Sequence, residues 1–162
     1  MYRPLTKETA PMTVIEQMLI PAVYSGSGVS QNSATLDLGA DGTGWGSGLI
    51  IVEVGNSPEI LADGLYIELI LEHSDTDAVG AAVTSDDLIV NSFTDATTGQ
   101  FALINAPAED STVFTVEYKA NNPNAKRYIN VKINLVGNHG TGTAISITGI
   151  KYHPETKDSD GL

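Results

Sequence analysis

There is no cysteine among the 162 residues of this chain. That excludes a disulfide framework, a thiolate metal site and a cysteine nucleophile. The fold must therefore hold by burial alone, and at this length a single domain buries about 70% of the surface its unfolded chain exposes. Basic residues are scarce as well. Eight Lys and Arg stand against twenty Asp and Glu, for a net charge of −12, and no Lys or Arg occurs between Lys7 and Lys119. Nucleic-acid binding needs cations to neutralise phosphates, and an anionic membrane surface attracts polybasic segments, so neither is expected as a partner. The same acidity serves either plain solubility or the choice of a protein partner.

Long apolar runs are missing too. No segment approaches the roughly 20 apolar residues of a membrane span. The patch from Met12 to Ile20 is cut by Glu16-Gln17 and bracketed by Pro11 and Pro21, a poor pattern for a secretory signal. Aromatic residues make up only 6% of the chain. A sugar-stacking surface, which rests on exposed rings, would have to draw on Trp45 and a few tyrosines such as Tyr24, Tyr66 and Tyr152.

Catalytic and metal-binding patterns are equally thin. The Gly-rich stretch 39–48 lacks the Lys-Ser/Thr of a phosphate loop, and an apolar strand follows it where a helix N-terminus is needed; it reads as a turn. Asp75-Thr76-Asp77 could lend carboxylates to calcium, but no loop supplies the six to eight oxygens that ion takes. His73, His139 and His153 show no zinc-ligand spacing. No Gly-x-Ser-x-Gly is present, and with twenty acids any fold brings some carboxylates together, so acid pairs do not diagnose a hydrolase. No enzyme, cofactor or metal is expected.

What the sequence does contain is period-two alternation. In 127–136, Ile129, Val131, Ile133 and Leu135 share one face while Tyr128, Asn130, Lys132 and Asn134 share the other, the mark of a half-buried antiparallel strand. Segments 65–72 and 112–119 repeat it. Segment 143–152 begins with Ile145 and Ile147 on one face and shifts to Ile150 and Tyr152, which predicts a bulge or bend at Gly149. Segment 49–54, LIIVEV, is apolar at nearly every position and reads as a central strand. Weaker strands are predicted at 34–38, 88–93 and 101–104. Gly-, Asn- and Pro-rich turns separate these segments. Eight short strands predict an all-β, antiparallel, jelly-roll-like β-sandwich over 34–153.

Residues 1–33 show no clear strand and read as an N-terminal arm and linker, with Ser25–Ser33 flexible. Thr13 and Glu16 have capping-box spacing, so Val14, Met18 and Leu19 would line one side of a short helix that needs a surface to lie against. Residues 154–162 are polar and read as a flexible tail. Trp45, flanked by glycines, is either an aromatic anchor at a partner surface or a cap on one end of the core. Lys126-Arg127, the only adjacent basic pair, either docks an acidic neighbour or terminates a strand. Val14, Met18, Leu19, Trp45, Lys126 and Arg127 are thus the candidate partner-binding residues.

Four of these segments, ATLDLG (34–39), IELILEHSDT (67–76), KRYINVKINLVG (126–137) and TGTAISITGI (141–150), resemble the capsid cement or decoration proteins of tailed double-stranded DNA bacteriophages. The resemblance covers roughly 34–153 and leaves out the arm. It implies a jelly-roll homo-trimer, made in the host cytoplasm, that binds major capsid protein on the outer surface of an icosahedral head and stiffens the shell. It supplies no catalytic residue. A carbohydrate- or receptor-binding sandwich is the alternative.

Overall fold

Two antiparallel β-sheets face one another in a computed structural model that describes residues 13–39, 44–90 and 93–154. The ten strands are β1 (Thr13–Ser27), β2 (Ser30–Asn32), β3 (Leu36–Asp37), β4 (Trp45–Val54), β5 (Tyr66–Ser74), β6 (Ala81–Ala82), β7 (Gln100–Ile104), β8 (Val113–Lys119), β9 (Tyr128–Val136) and β10 (Asn138–Pro154). The first sheet runs β1-β10-β4-β8. The second runs β2-β9-β5-β6, with β3 also on β9 and β7 also on β5. Among the described residues the only helical element is one 3-10 turn at Asp86–Leu88. The architecture is all-β and sandwich-like.

Alternation sets which side chains meet between the sheets. Ile50, Val52 and Val54 of β4, Val116 and Tyr118 of β8, and Ile145 and Ile147 of β10 point inward from the first sheet. Ile67, Leu69 and Leu71 of β5 and Ile129, Val131, Ile133 and Leu135 of β9 oppose them from the second. All are buried. Leu36 and Leu38 close one side, and Val83, Leu88 and Ile89 lie in the same core.

Gly149 is not a bulge. Through it β10 keeps one register against β4, from Ile145 opposite Val54 to Ile150 opposite Leu49. The inward row of β10 continues as Ile145, Ile147, Gly149, and a Cβ at 149 would lie 2.7 Å from the sulfur of Met18 and 2.9 Å from a methyl of Leu36. Glycine is required there by close approach. The irregularity belongs to β1, where the pairing shifts between Gln17 and Leu19, between Leu19 and Ala22, and between Tyr24 and Gly26. Gly137 has a different reason: with φ 88°, it turns the chain from β9 into β10 against the carbonyl of Gly64.

Three expectations are corrected by these elements. The short helix at 13–20 is instead part of a 15-residue strand on β10, and residues 30–32 pair with β9 where a flexible linker is expected. The sheets therefore begin within the expected 1–33 arm, not at residue 34. The strand expected at 88–93 is a 3-10 turn and a single bridge from Ile89 to Tyr118, with 91–92 outside the described residues. The tail expected at 154–162 lies outside them too, except for Pro154, which ends β10. β1 tolerates Pro21 because it is an edge strand, where a missing N–H breaks no ladder.

Two outcomes test this packing. Gly149→Val is expected to destabilise the protein by about 1–3 kcal/mol through overpacking, read as a lower urea midpoint; an unchanged midpoint contradicts the close approach. Deleting residues 1–28 removes β1 and Met18 from the sheet and core, so the truncated chain is expected to unfold at lower urea than the full chain.

Candidate interaction surface

The two outer faces of the sandwich differ in how far their apolar side chains are exposed and how their polar groups are tied. On the four-stranded sheet the outward side chains form cross-strand rows: Thr13–Tyr152–Ser47–Lys119, Ile15–Ile150–Leu49–Glu117, Gln17–Thr148–Ile51–Thr115, and Ser146–Glu53–Val113. Ile20 and Val23 extend the apolar edge along β1. Ile15 is 69% exposed, Ile20 67% and Val23 63%, and Leu49, Ile51 and Ile150 are half-buried by their neighbours alone. Ile15, Ile150, Leu49 and Ile51 form a contiguous apolar band between polar rows, and such a band marks an interaction surface more than scattered exposure does. Its two carboxylates already hold donors. Glu53 accepts from the Ser146 hydroxyl at 2.9 Å. Glu117 is hydrogen-bonded to Tyr152, whose pKa is pushed up to about 12 by burial first and by that carboxylate second.

The outer face of the second sheet is a polar ladder. Glu68 accepts the Gln100 amide on Oε1 at 2.9 Å and the Asn134 amide on Oε2 at 2.5 Å. Asn134 in turn accepts from the Ser30 hydroxyl and Gln100 from the Thr94 hydroxyl, each at 2.9 Å. The chain Ser30–Asn134–Glu68–Gln100–Thr94 thus runs across β2, β9, β5 and β7. Beside it Asn130 donates to Glu72 at 2.8 Å. The ladder ties most polar groups of this face to one another; Tyr66, Ile70, Leu103 and Val136 share the face and are half-buried.

At one end of the sandwich the basic pair meets its own acids. Arg127 forks onto Asp37 with two bonds of 2.7 Å and lies 4.9 Å over the Tyr128 ring. The guanidinium holds the Asp37 carboxyl below its usual range, against a smaller desolvation effect. Lys126 pairs with Asp75 at 2.5 Å. Its backbone N–H donates to the buried Tyr118 hydroxyl at 2.7 Å, which also meets His73 Nδ1 at 2.9 Å. Since the phenol oxygen accepts from Lys126, its proton is placed for Nδ1 and the His73 ring proton for Nε2. Burial pushes the His73 pKa down and the Tyr118 pKa up to about 12.

Asp77 and His139 are the other described candidates for chemistry, and the His153 side chain lies outside the description. Asp77 accepts from the Thr35 hydroxyl. His139 is fully buried, with Nε2 donating toward the carbonyls of Tyr66 and Val136 and Nδ1 facing Glu59 at 3.4 Å. Among the described residues no group of three His, Asp or Glu is disposed to hold a metal ion.

The structure separates the six candidate partner-binding residues. Met18 is 4% exposed and lies in the core of its own sandwich. Val14 is half-buried opposite Lys151, whose ammonium pairs with Glu16. Leu19 and Trp45 are half-buried and pack against the core, Trp45 at the start of β4. Lys126 and Arg127 sit together before β9. Tyr24 also packs against the core. The apolar face was missed because LIIVEV reads as a strand buried on both sides; it buries Ile50 and Val52 and leaves Leu49 and Ile51 outside. That double-sided apolarity was the available signal.

A comparison with known proteins finds no family model that matches the chain and no curated protein that matches it.

The Arg127–Asp37 pair predicts a pH dependence. Asp37 has a depressed pKa in the folded state, so its contribution is present above the usual 3.8 and is lost as pH falls through the folded value. The pair is exposed, so the effect is small. Arg127→Gln is expected to lower the urea midpoint at neutral pH and to match the wild type well below pH 3.8. A difference that persists in acid contradicts the charge origin.

Proposed function

We propose that this chain is a structural virion protein: a capsid cement or decoration protein that binds major capsid protein on the outer surface of an icosahedral phage head, as a homo-trimer, and stabilises the shell. The observation that carries the reading is the set of strongly exposed aliphatic side chains on the first sheet, Ile15, Ile20, Val23 and Val113, against a second sheet whose outer face is cross-linked by its own polar ladder. A protein built this way lays one face against protein and turns the other to water. The net charge of −12 favours the side of a shell away from packaged DNA, and the pairing of His73 with Tyr118, Asp75 with Lys126 and Asp37 with Arg127 favours holding over catalysis.

The finer fold reading is a jelly roll. If β2 with β3 and β6 with β7 are each counted as one column, the chain has eight. Column one then pairs with eight, two with seven, three with six and four with five. That nested order supports two interlocked Greek keys rolled from one long hairpin. The sugar-binding alternative gains little from the aromatics, since Trp45 and Tyr24 pack against the core, Tyr152 is tied to Glu117, and only Tyr66 is left, half-buried on the outer face of the second sheet.

The test is co-sedimentation with heads that lack the protein, together with its mass in solution. Binding to assembled heads over free major capsid protein, and a mass that is a multiple of three chains, are expected. Protein that ignores heads overturns the cement reading, and a mass not divisible by three overturns the trimer.

A further inference from the structure

Ile15, Ile20 and Val23 lie on an edge strand, so the first question is whether β1 recruits another strand or another face. Its edge is poorly suited to strand addition. Pro21 offers no N–H, the register shifts interrupt the ladder, and the Met18 carbonyl is taken by the Ala34 N–H at 2.9 Å. These are the devices that blunt an edge. The apolar residues of β1 therefore act with those of β10 and β4, as a face.

The charges on that face say what covers it. Lys119 stands at one end of the outward rows and Glu53 at the other, on adjacent strands. A two-fold axis across the strands, between the Leu49 row and the Ile51 row, exchanges those two rows and also exchanges the Lys119 row with the Glu53 row. Leu49 of each copy then lies over Ile51 of the other. Lys119 lands over Val113 of the second copy, one strand from Glu53, or about 4.8 Å to the side. The same contact occurs twice, as an isologous interface requires. Glu117 falls over Thr115 of the other copy, whose hydroxyl can donate to it. Both carboxylates carry intramolecular donors already, which lessens their desolvation cost.

We propose that the outer face of the β1-β10-β4-β8 sheet is a two-fold contact between copies of this chain, centred on Leu49 and Ile51 and registered by reciprocal Lys119–Glu53 pairs. The contact goes beyond the cement reading and does not need it. An icosahedral surface interleaves two-fold and three-fold axes, so this contact and a three-fold one can coexist.

Charge reversal tests the register. Wild-type protein is expected to sediment as an even number of chains, two alone or six if a three-fold contact is also made. Lys119→Glu and Glu53→Lys each set like charges opposed twice and are expected to weaken the contact about tenfold or more, halving the mass at moderate concentration. The double variant Lys119→Glu/Glu53→Lys restores opposite charges and is expected to regain the wild-type mass. Leu49→Lys, on the outer face, is expected to halve the mass while leaving the circular dichroism spectrum unchanged. A wild-type mass of one or three chains overturns the proposal, as does a double variant no better than the single ones. Co-sedimentation with heads is measured separately, so loss of the cement reading leaves this result standing.

Discussion

Met18 holds the side of the sandwich shut. Its side chain shares with Leu36 the space left by Gly149, while its carbonyl accepts the Ala34 N–H. One residue thus joins the edge of the first sheet to the segment that begins the edge of the second. Much else follows from that closure. Because the inward row of β10 ends in glycine, β10 can carry β4 on one side and β1 on the other without lifting away from the core. Because β1 is held there, its outward residues join those of β10 and β4 in a continuous surface. A methyl group at position 149 disturbs all three strands at once.

The sequence was most legible where alternation ran unbroken. β5, β8 and β9 are readable from their period-two patterns, and β4 from its apolar run. β1 was not, and the reason is physical. Each register shift moves the following side chains to the other face, so Met18 and Leu19 both turn toward the core and the pattern around Pro21 loses its period. Three breaks in 15 residues leave a strand that looks like an arm, or even like a helix start at Thr13 and Glu16. The shift from Ile147 to Ile150 misled in the opposite sense. It looks like a bulge, whereas Ile150 belongs to the outer face and Gly149 is the missing inward residue. β3 and β7 fall within the weaker segments expected at 34–38 and 101–104, while β2 and β6, of three and two residues, are too brief for any pattern to stand out.

Site residues were legible in type more than in place. Val14, Met18 and Leu19 stand out in the sequence, yet the exposed apolar residues on β1 are Ile15, Ile20 and Val23, because assigning a helix in place of a strand chooses the wrong face. Lys126 and Arg127 were found as a pair, but their partners Asp75 and Asp37 are more than fifty residues and ninety residues away in the chain. No local pattern announces such distant partners. The face contrast itself arises only when four strands are set side by side, since an apolar residue on one strand becomes a surface through its neighbours on the next.

The nested pairing has a consequence for how the chain reaches this state. Thr13 pairs with Tyr152, so the first described strand waits for the last before its ladder can form. The inner pair, β5 with β6, is the most local and closes the shortest loop, β5 with β7 comes next, and each surrounding pair spans a longer one. Loop-closure entropy therefore rises outward from the centre of the sequence, and folding dominated by such distant contacts is slow. On a ribosome the inner columns can meet while the C-terminal third is still being made, but the apolar face cannot exist until β10 emerges between β4 and β1. The surface that invites association is the last to be completed, which keeps unfinished chains from presenting it.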